Sequence, residues 1–161
     1  MYRILFVCMG NICRSPSAEG FLRHHLDRTS VSGRVEADSA GTHGWHVGCS
    51  PDPRAVEAAA KFGVDIGNLR ARRVNAEDYR SFDRIVAMDR DNLRNLRSLE
   101  PGGGSRAELG MLARSGDGGS LLEVPDPYYG SFSDFEYMCR LLDEATRELA
   151  LDLERELGAP E

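Results

Sequence analysis

The apolar positions of the chain follow two alternating habits. Ile4-Leu5-Phe6-Val7 and Ile85-Val86-Ala87-Met88 are short unbroken runs, as in strands buried on both faces, and the apolar residues between them recur every three or four positions. The first run predicts a strand over Arg3 to Val7, with Cys8 to Ser15 as the turn after it. Ser15-Pro16 predicts a helix start, Ser15 as N-cap and Pro16 at the first helical position, continuing through Ala18, Phe21, Leu22 and Leu26. A second strand is expected over Val35 to Ala40, closing at Gly41, and a second helix from Asp52-Pro53 through Val56, Ala59 and Ala60 to a stop at Gly63. A short helical stretch, Asn75 to Ser81, precedes the third strand, Arg84 to Met88. Asp89 then caps a helix through Leu93 and Leu96. A weaker fourth strand, Leu109 to Leu112, lies between two glycine-rich loops, Pro101 to Gly104 and Gly116 to Gly119. The last helix is predicted from Ser133, with Ser133 and Glu136 as a capping box. Its stripe of Phe135, Met138, Leu142, Ala145, Leu149 and Leu153 has the spacing of a core-facing surface.

Strand and helix alternating with short connections predict an α/β fold: a doubly wound, mostly parallel four-stranded sheet with helices on both faces. The 161 residues are expected to form one domain, 1–161, large enough to bury a core without disulfides or metals. In such sheets ligands bind beyond the carboxyl ends of the strands, where Cys8 to Ser15 lies.

Composition narrows the function classes. The formal net charge of -6 resides in residues 133–161, where nine acidic groups face three arginines, so the rest is near neutral and carries no basic stripe for nucleic acid. Arg3 to Val7 is too short for a signal peptide or a membrane span, so a cytoplasmic protein with no membrane partner is expected. Cys8, Cys13, Cys49 and Cys139 are unevenly spaced and read as reduced thiols. His24, His25, His43 and His46 lack metal-ligand spacing, and neither a metal nor a cofactor is expected.

The candidate chemistry centres on Cys8. It ends a strand, and the intervening Met9-Gly10-Asn11-Ile12-Cys13 tolerates left-handed geometry and delivers Arg14 and Ser15 to a helix N-terminus. Such a phosphate-binding loop aims successive backbone N–H groups at one anion. Cys8 is expected as a thiolate nucleophile, Arg14 as a planar fork on two phosphate oxygens, and Ser15 as a hydroxyl donor to the sulfur. A phosphomonoester also needs a proton for its leaving group. Asp126, stiffened between Pro125 and Pro127, is the candidate acid, with Tyr128 and Tyr129 as apolar walls for an aromatic substrate.

The stretch from Leu5 to Glu19, LFVCMGNICRSPSAE, together with Asp126-Pro127-Tyr128-Tyr129-Gly130, resembles the low-molecular-weight protein tyrosine phosphatases, and the resemblance spans nearly the whole chain. It implies a flavodoxin-like, phosphotyrosine phosphatase I-like sheet. It implies hydrolysis of phosphotyrosine proteins or peptides and of small aryl phosphates through a cysteinyl-phosphate, with inorganic phosphate as product and inhibitor. Ser39 would brace Asn11, Trp45 would form a substrate wall facing Tyr128, and Arg72 would match a family arginine near the site. Cys13 is either a packing residue or, as the resemblance implies, the partner of a protective disulfide with Cys8. The chain departs from the pattern between Gly63 and Arg72, where many relatives carry a supporting histidine and this one has Asn68, Leu69 and Arg70. Exposed aromatics around the site are expected to allow weak self-association.

Three other functions compete. An arsenate reductase on this fold needs further reactive cysteines past the third strand, and Met88 to Leu99 has none. Phosphoarginine phosphatases tend to carry threonine where Ile12 stands and lack the paired tyrosines. A non-catalytic phosphopeptide-binding module would not need the nucleophile, the arginine and the acid together.

Overall fold

The computed structural model describes residues 1–103, 105–114 and 120–158, so the expected loop Gly116 to Gly119, and Gly104 of the other, lie outside the described residues. Among the described residues nine elements follow in order: β1 (Tyr2–Cys8), α1 (Arg14–Leu26), β2 (Val35–Gly41), α2 (Pro53–Ala60), α3 (Asp78–Ser81), β3 (Arg84–Ala87), α4 (Arg90–Leu99), β4 (Glu108–Met111) and α5 (Phe132–Leu157). The strands form one sheet in the order β2-β1-β3-β4, and every pairing among the described residues is parallel.

Successive strand side chains point to opposite faces, and β1 shows the consequence. Ile4 and Phe6 join one core with residues of α1, α2 and α5, whereas Leu5 and Val7 join a second with Tyr79 and Phe82 and with Leu93 and Leu96 of α4. Helices therefore cover both faces, which explains why the strands read as unbroken apolar runs. The α5 stripe from Phe135 to Leu153 is buried in the first core.

Two helix starts differ from expectation. α1 winds from Arg14 with Cys13 at the N-cap position, so Ser15 lies within the first turn and its hydroxyl turns toward Cys8. α5 begins at Phe132 after Ser131, because a turn closed by Gly130 N–H on Pro127 O (2.8 Å) brings Ser131 to the helix end, where Asp134 reaches back to its N–H (2.9 Å). The other caps stand as expected. Asp52 accepts from Arg54 N–H and Asp89 from Asn92 N–H (2.7 Å), while Gly63, at φ 78°, ends the turn after α2.

With this strand order, connections from β1 lead to β2 on one side and onward to β3 on the other. The carboxyl end of β1 is therefore the switch point at which the connections diverge and leave a crevice.

Candidate active site

Cys8 closes β1 at that crevice, buried, with its Sγ 3.0 Å from Ser15 Oγ. The carbonyls of the loop are occupied elsewhere. Cys8 O accepts from Thr42 N–H (2.9 Å), Met9 O from His43 N–H (3.0 Å), Ile12 O from Asp52 N–H (2.8 Å) and Cys13 O from Ser17 Oγ (2.7 Å). By contrast, among the described residues no group accepts from the backbone N–H groups of Gly10 through Ser15. A row of free donors leading into a helix N-terminus suits a tetrahedral anion. The segment after β2 must come very close for these bonds, and a Cβ on Gly41 would stand 2.7 Å from Met9 O.

Asn11 fixes the loop from behind. It holds φ 58°, a left-handed conformation that asparagine tolerates better than most residues, and its side chain is almost fully buried. Its Nδ2 donates to Ser15 Oγ (2.8 Å) and Ser39 Oγ (3.0 Å), while its Oδ1 accepts from Arg72 N–H (3.0 Å). Ser39 Oγ in turn donates to Glu19 Oε1 (2.7 Å), and Arg23 pairs with the other oxygen (2.6 Å). Burial pushes the Glu19 carboxyl above its ordinary range against the opposing pull of Ser39 and Arg23.

Arg14 is 3% exposed, and two groups hold one of its nitrogens. Its Nη1 donates to Asp89 Oδ2 (2.6 Å) and Val124 O (3.2 Å), and its Nη2 lies 3.7 Å from Asp126 Oδ2. Burial opposes the guanidinium charge, but Cys8, Asp89 and Asp126 around it outweigh burial and raise its pKa. Asp126 is 43% exposed, within reach of both Arg14 and water, and its Oδ1 accepts from Tyr128 N–H (3.1 Å).

These groups meet at a cavity of about 330 Å³ lined by Cys8, Met9, Gly10, Ile12, Cys13, Arg14, Trp45, His46, Asp126, Tyr128 and Tyr129. Trp45 and Tyr129 form an open aromatic rim, and His43 stacks on Trp45 at 4.5 Å. The expected nucleophile, arginine, acid and aromatic walls thus share one space, with Ser15, Asn11 and Ser39 behind the loop.

Other residues fall outside it. Arg70 is exposed and donates to Gly67 O and Leu69 O (3.0 and 2.7 Å), while Leu69 packs on the core. Arg72 reaches the loop by its main chain, its guanidinium bridging Asp38 (3.1 Å) and Asp78 (3.0 Å). The network behind the loop is therefore closed by Glu19 and the Arg72 backbone without a histidine. His24 and His25 meet edge to face, and His25 bonds Asp143 (2.8 Å) across α1 and α5. No group of three His, Cys, Asp or Glu among the described residues could hold a metal. Cys13 is buried, and burial, Asp52 and Cys8 push its thiol well up; Cys139, buried in α5, is raised to about 12 by burial. Cys49 is exposed.

One contributor escaped the sequence reading. Asp89 was expected only as a helix cap, yet its second oxygen holds Arg14. Among the described residues, no helix is long and apolar enough to cross a membrane.

Comparison with known proteins identifies the family and the fold. The family model described as low molecular weight phosphotyrosine protein phosphatase matches residues 3–159. The low molecular weight protein-tyrosine-phosphatase YfkJ of Bacillus subtilis is 36% identical over 156 residues, covering 97% of this chain and 98% of that protein. The low molecular weight phosphotyrosine protein phosphatase of Schizosaccharomyces pombe is 42% identical over 134 residues, covering 83% of this chain and 85% of its own. The crystal structure of a protein tyrosine phosphatase from Entamoeba histolytica superimposes with a TM-score of 0.87 at 32% identity, covering 97% of this chain and 99% of that one.

Proposed function

The chain belongs to the low molecular weight phosphotyrosine protein phosphatase family, and from that premise we propose how it acts as a protein-tyrosine-phosphatase, a hydrolase of phosphoric monoesters. The observation that carries the proposal is the convergence of Cys8 Sγ, the Arg14 fork and the Asp126 carboxyl on one aromatic-rimmed cavity.

Cys8 attacks phosphorus as the thiolate. An S–P bond forms as the ester P–O bond breaks, and Asp126 passes its proton to the departing phenolate. Water then attacks the cysteinyl-phosphate, Asp126 takes a proton from it, and the S–P bond breaks to return the thiolate and inorganic phosphate. Arg14 and the N–H groups of Met9 to Ser15, the proposed phosphate-binding loop, hold the equatorial oxygens as their charge redistributes. Ser15 donates to the sulfur, and Asn11 and Ser39 keep the loop in shape. Trp45, Tyr128 and Tyr129 flank the phenol ring.

Phosphotyrosine proteins or peptides are the proposed partners, with inorganic phosphate as product and competitive inhibitor. A nucleophile that must stay reduced suits the cytoplasm. Cys13, lining the same cavity, is the proposed disulfide partner of Cys8 under oxidation, with packing as its alternative role. The exposed Trp45 and Tyr129 suit weak self-association.

Turnover of phenyl phosphate by Cys8→Ser, measured beside vanadate binding, tests the proposal. Turnover is expected to vanish while vanadate still binds. Retained turnover would rule out the covalent route.

A further inference from the structure

Arg54 lies outside the cavity and outside the roles above, yet it connects the site's two halves. At its near end Asp52 N–H donates to Ile12 O (2.8 Å), within the loop after Cys8. The Asp52 carboxylate grips the Arg54 side chain at two points, Oδ1 with Nε (3.1 Å) and Oδ2 with Nη2 (2.8 Å). The same Nη2 donates to Tyr128 O (3.1 Å), and Tyr128 N–H donates to Asp126 Oδ1 (3.1 Å). The guanidinium also lies over the fully buried Phe135 ring, 4.5 Å from its centroid, and 5.7 Å from that of Tyr128.

We propose that Arg54 is a positioning residue that ties the Asp126 segment to the loop bearing Cys8 and so fixes the acid over the leaving-group oxygen. The proposal rests on the reading of Asp126 as the acid. Tyr128 and Asp126 stand well apart in sequence from the nucleophile's loop, and the Asp126 side chain is 43% exposed, so packing holds it on one side only. The Arg54 bridge reaches that segment from a helix whose own N-cap is bonded to the loop. Hydrogen bonding from Arg54, against burial, holds the Asp52 carboxyl below its ordinary range, so the pair stays ionised at working pH. A planar fork is what the geometry requires, since one nitrogen must serve Asp52 and Tyr128 together while the plane lies on Phe135.

The test compares kcat/KM on phenyl phosphate with that on 2,4-dinitrophenyl phosphate, whose leaving group needs no proton, for Arg54→Gln, Arg54→Lys and Asp126→Ala. The Asp52 cap uses the Arg54 backbone N–H (2.9 Å), so these variants should keep α2, which thermal melts would check. Arg54→Gln is expected to lose about tenfold on phenyl phosphate, part of the roughly 10²–10⁴ that a positioned acid supplies, and less than about twofold on the activated ester. Arg54→Lys should behave like Gln. In an Asp126→Ala background the Arg54→Gln change should cost less than about twofold on either ester, since nothing remains to position. Equal losses on both esters, full rescue by lysine, or a tenfold loss persisting without Asp126 would overturn the bridge. If Asp126→Ala itself shows no preference between the esters, the acid assignment fails and the bridge with it. A steep preference in Asp126→Ala but none in Arg54→Gln overturns the bridge alone.

Discussion

Replacing Asn11 with alanine removes three hydrogen bonds at once, two buried and one partly buried, and leaves their partners, Ser15, Ser39 and the Arg72 N–H, without them. At roughly 1 kcal/mol each these bonds account for about 3 kcal/mol. Alanine must also hold the φ of 58° that asparagine accepts, which adds roughly 1 kcal/mol. The loss of about 4 kcal/mol is a large share of the roughly 5–15 kcal/mol that stabilises a typical domain. Urea unfolding followed by circular dichroism reads it directly. With a slope of about 2 kcal/mol per molar, the midpoint should fall by about 2 M. Asn11→Gly separates the two contributions, because glycine adopts the left-handed conformation freely but makes no side-chain bonds, so it should unfold later than the alanine variant by about 1 kcal/mol. Both variants should lose kcat/KM, since Ser15 is then free to turn from Cys8. A midpoint shift below about 0.5 M for Asn11→Ala would refute the claim that the side chain carries the loop.

Two further predictions use different physics. Gly41→Ala would place a methyl 2.7 Å from Met9 O and 3.1 Å from Gly10 C, whereas a Cβ on Gly110 meets nothing within 4 Å; Gly41→Ala should lower both melting temperature and activity, while Gly110→Ala should stay within about 0.5 kcal/mol of the parent, a reversal of order in parallel melts counting against the argument. His25 is held below its ordinary pKa mainly by burial, Asp143 pulling the other way, so at neutral pH their 2.8 Å contact joins a neutral imidazole to a carboxylate. Above about pH 6.5 the group costs nothing; as the pH falls below it the unfolded chain gains the proton first and the native state loses stability until the folded pKa is passed, a slope that should flatten in His25→Gln when melts are run from neutral to mildly acidic pH.

The sequence pattern revealed those features that local chemistry decides. Continuous apolar runs gave β1 and β3 because both sheet faces are covered, and Asp52 and Asp89 announced their helices because cap and first turn are neighbours in sequence. Cys8, Arg14 and Asp126 were legible through two motifs. Neither Ser15 nor Ser133 stands at the N-cap position expected of it. A serine near a helix start has several possible hydrogen-bond partners, and only the tertiary structure decides whether its Oγ accepts from a helix N–H or bonds something else. For Ser15 the distant partner is Cys8, and for α5 the Pro127–Gly130 turn shifts the helix start. Asp89 was half legible: its Oδ1 obeys the local rule of capping, but its Oδ2 meets an arginine 75 residues away. In the stretch from Gly63 to Arg72, where many relatives carry a histidine, Leu69 is a partly buried apolar residue, and the partner behind Ser39 is Glu19. No spacing rule reports that contact, because Glu19 and Ser39 lie 20 residues apart on different elements.

Arg14 shows why the site needs contributions from so many strand ends. A nearly buried guanidinium has to be matched by charge and acceptors, or its desolvation would destabilise the fold. Asp89 at the end of β3 and Val124 O beyond β4 both engage Nη1, and Val124 is itself anchored by its N–H on Met88 O (2.9 Å). This leaves Nη2 facing Asp126 across 3.7 Å, on the side of the cavity. The rotamer freedom of an arginine, worth about 2 kcal/mol, is thus surrendered on folding and need not be lost again when a phosphoester enters. The same contacts tie the proposed acid to the proposed clamp. The segment beyond β4 carries Val124, Val124 O bonds Arg14, and Asp126 follows two residues later, so whatever orders Arg14 also sets where the Asp126 segment begins. Arg54 then holds the far side of that segment through Tyr128. The Asp126 segment is accordingly flanked by two arginines, Arg14 3.7 Å from its carboxylate and Arg54 on Tyr128 O, which is the constraint that the proposed acid needs beside an exposed carboxyl.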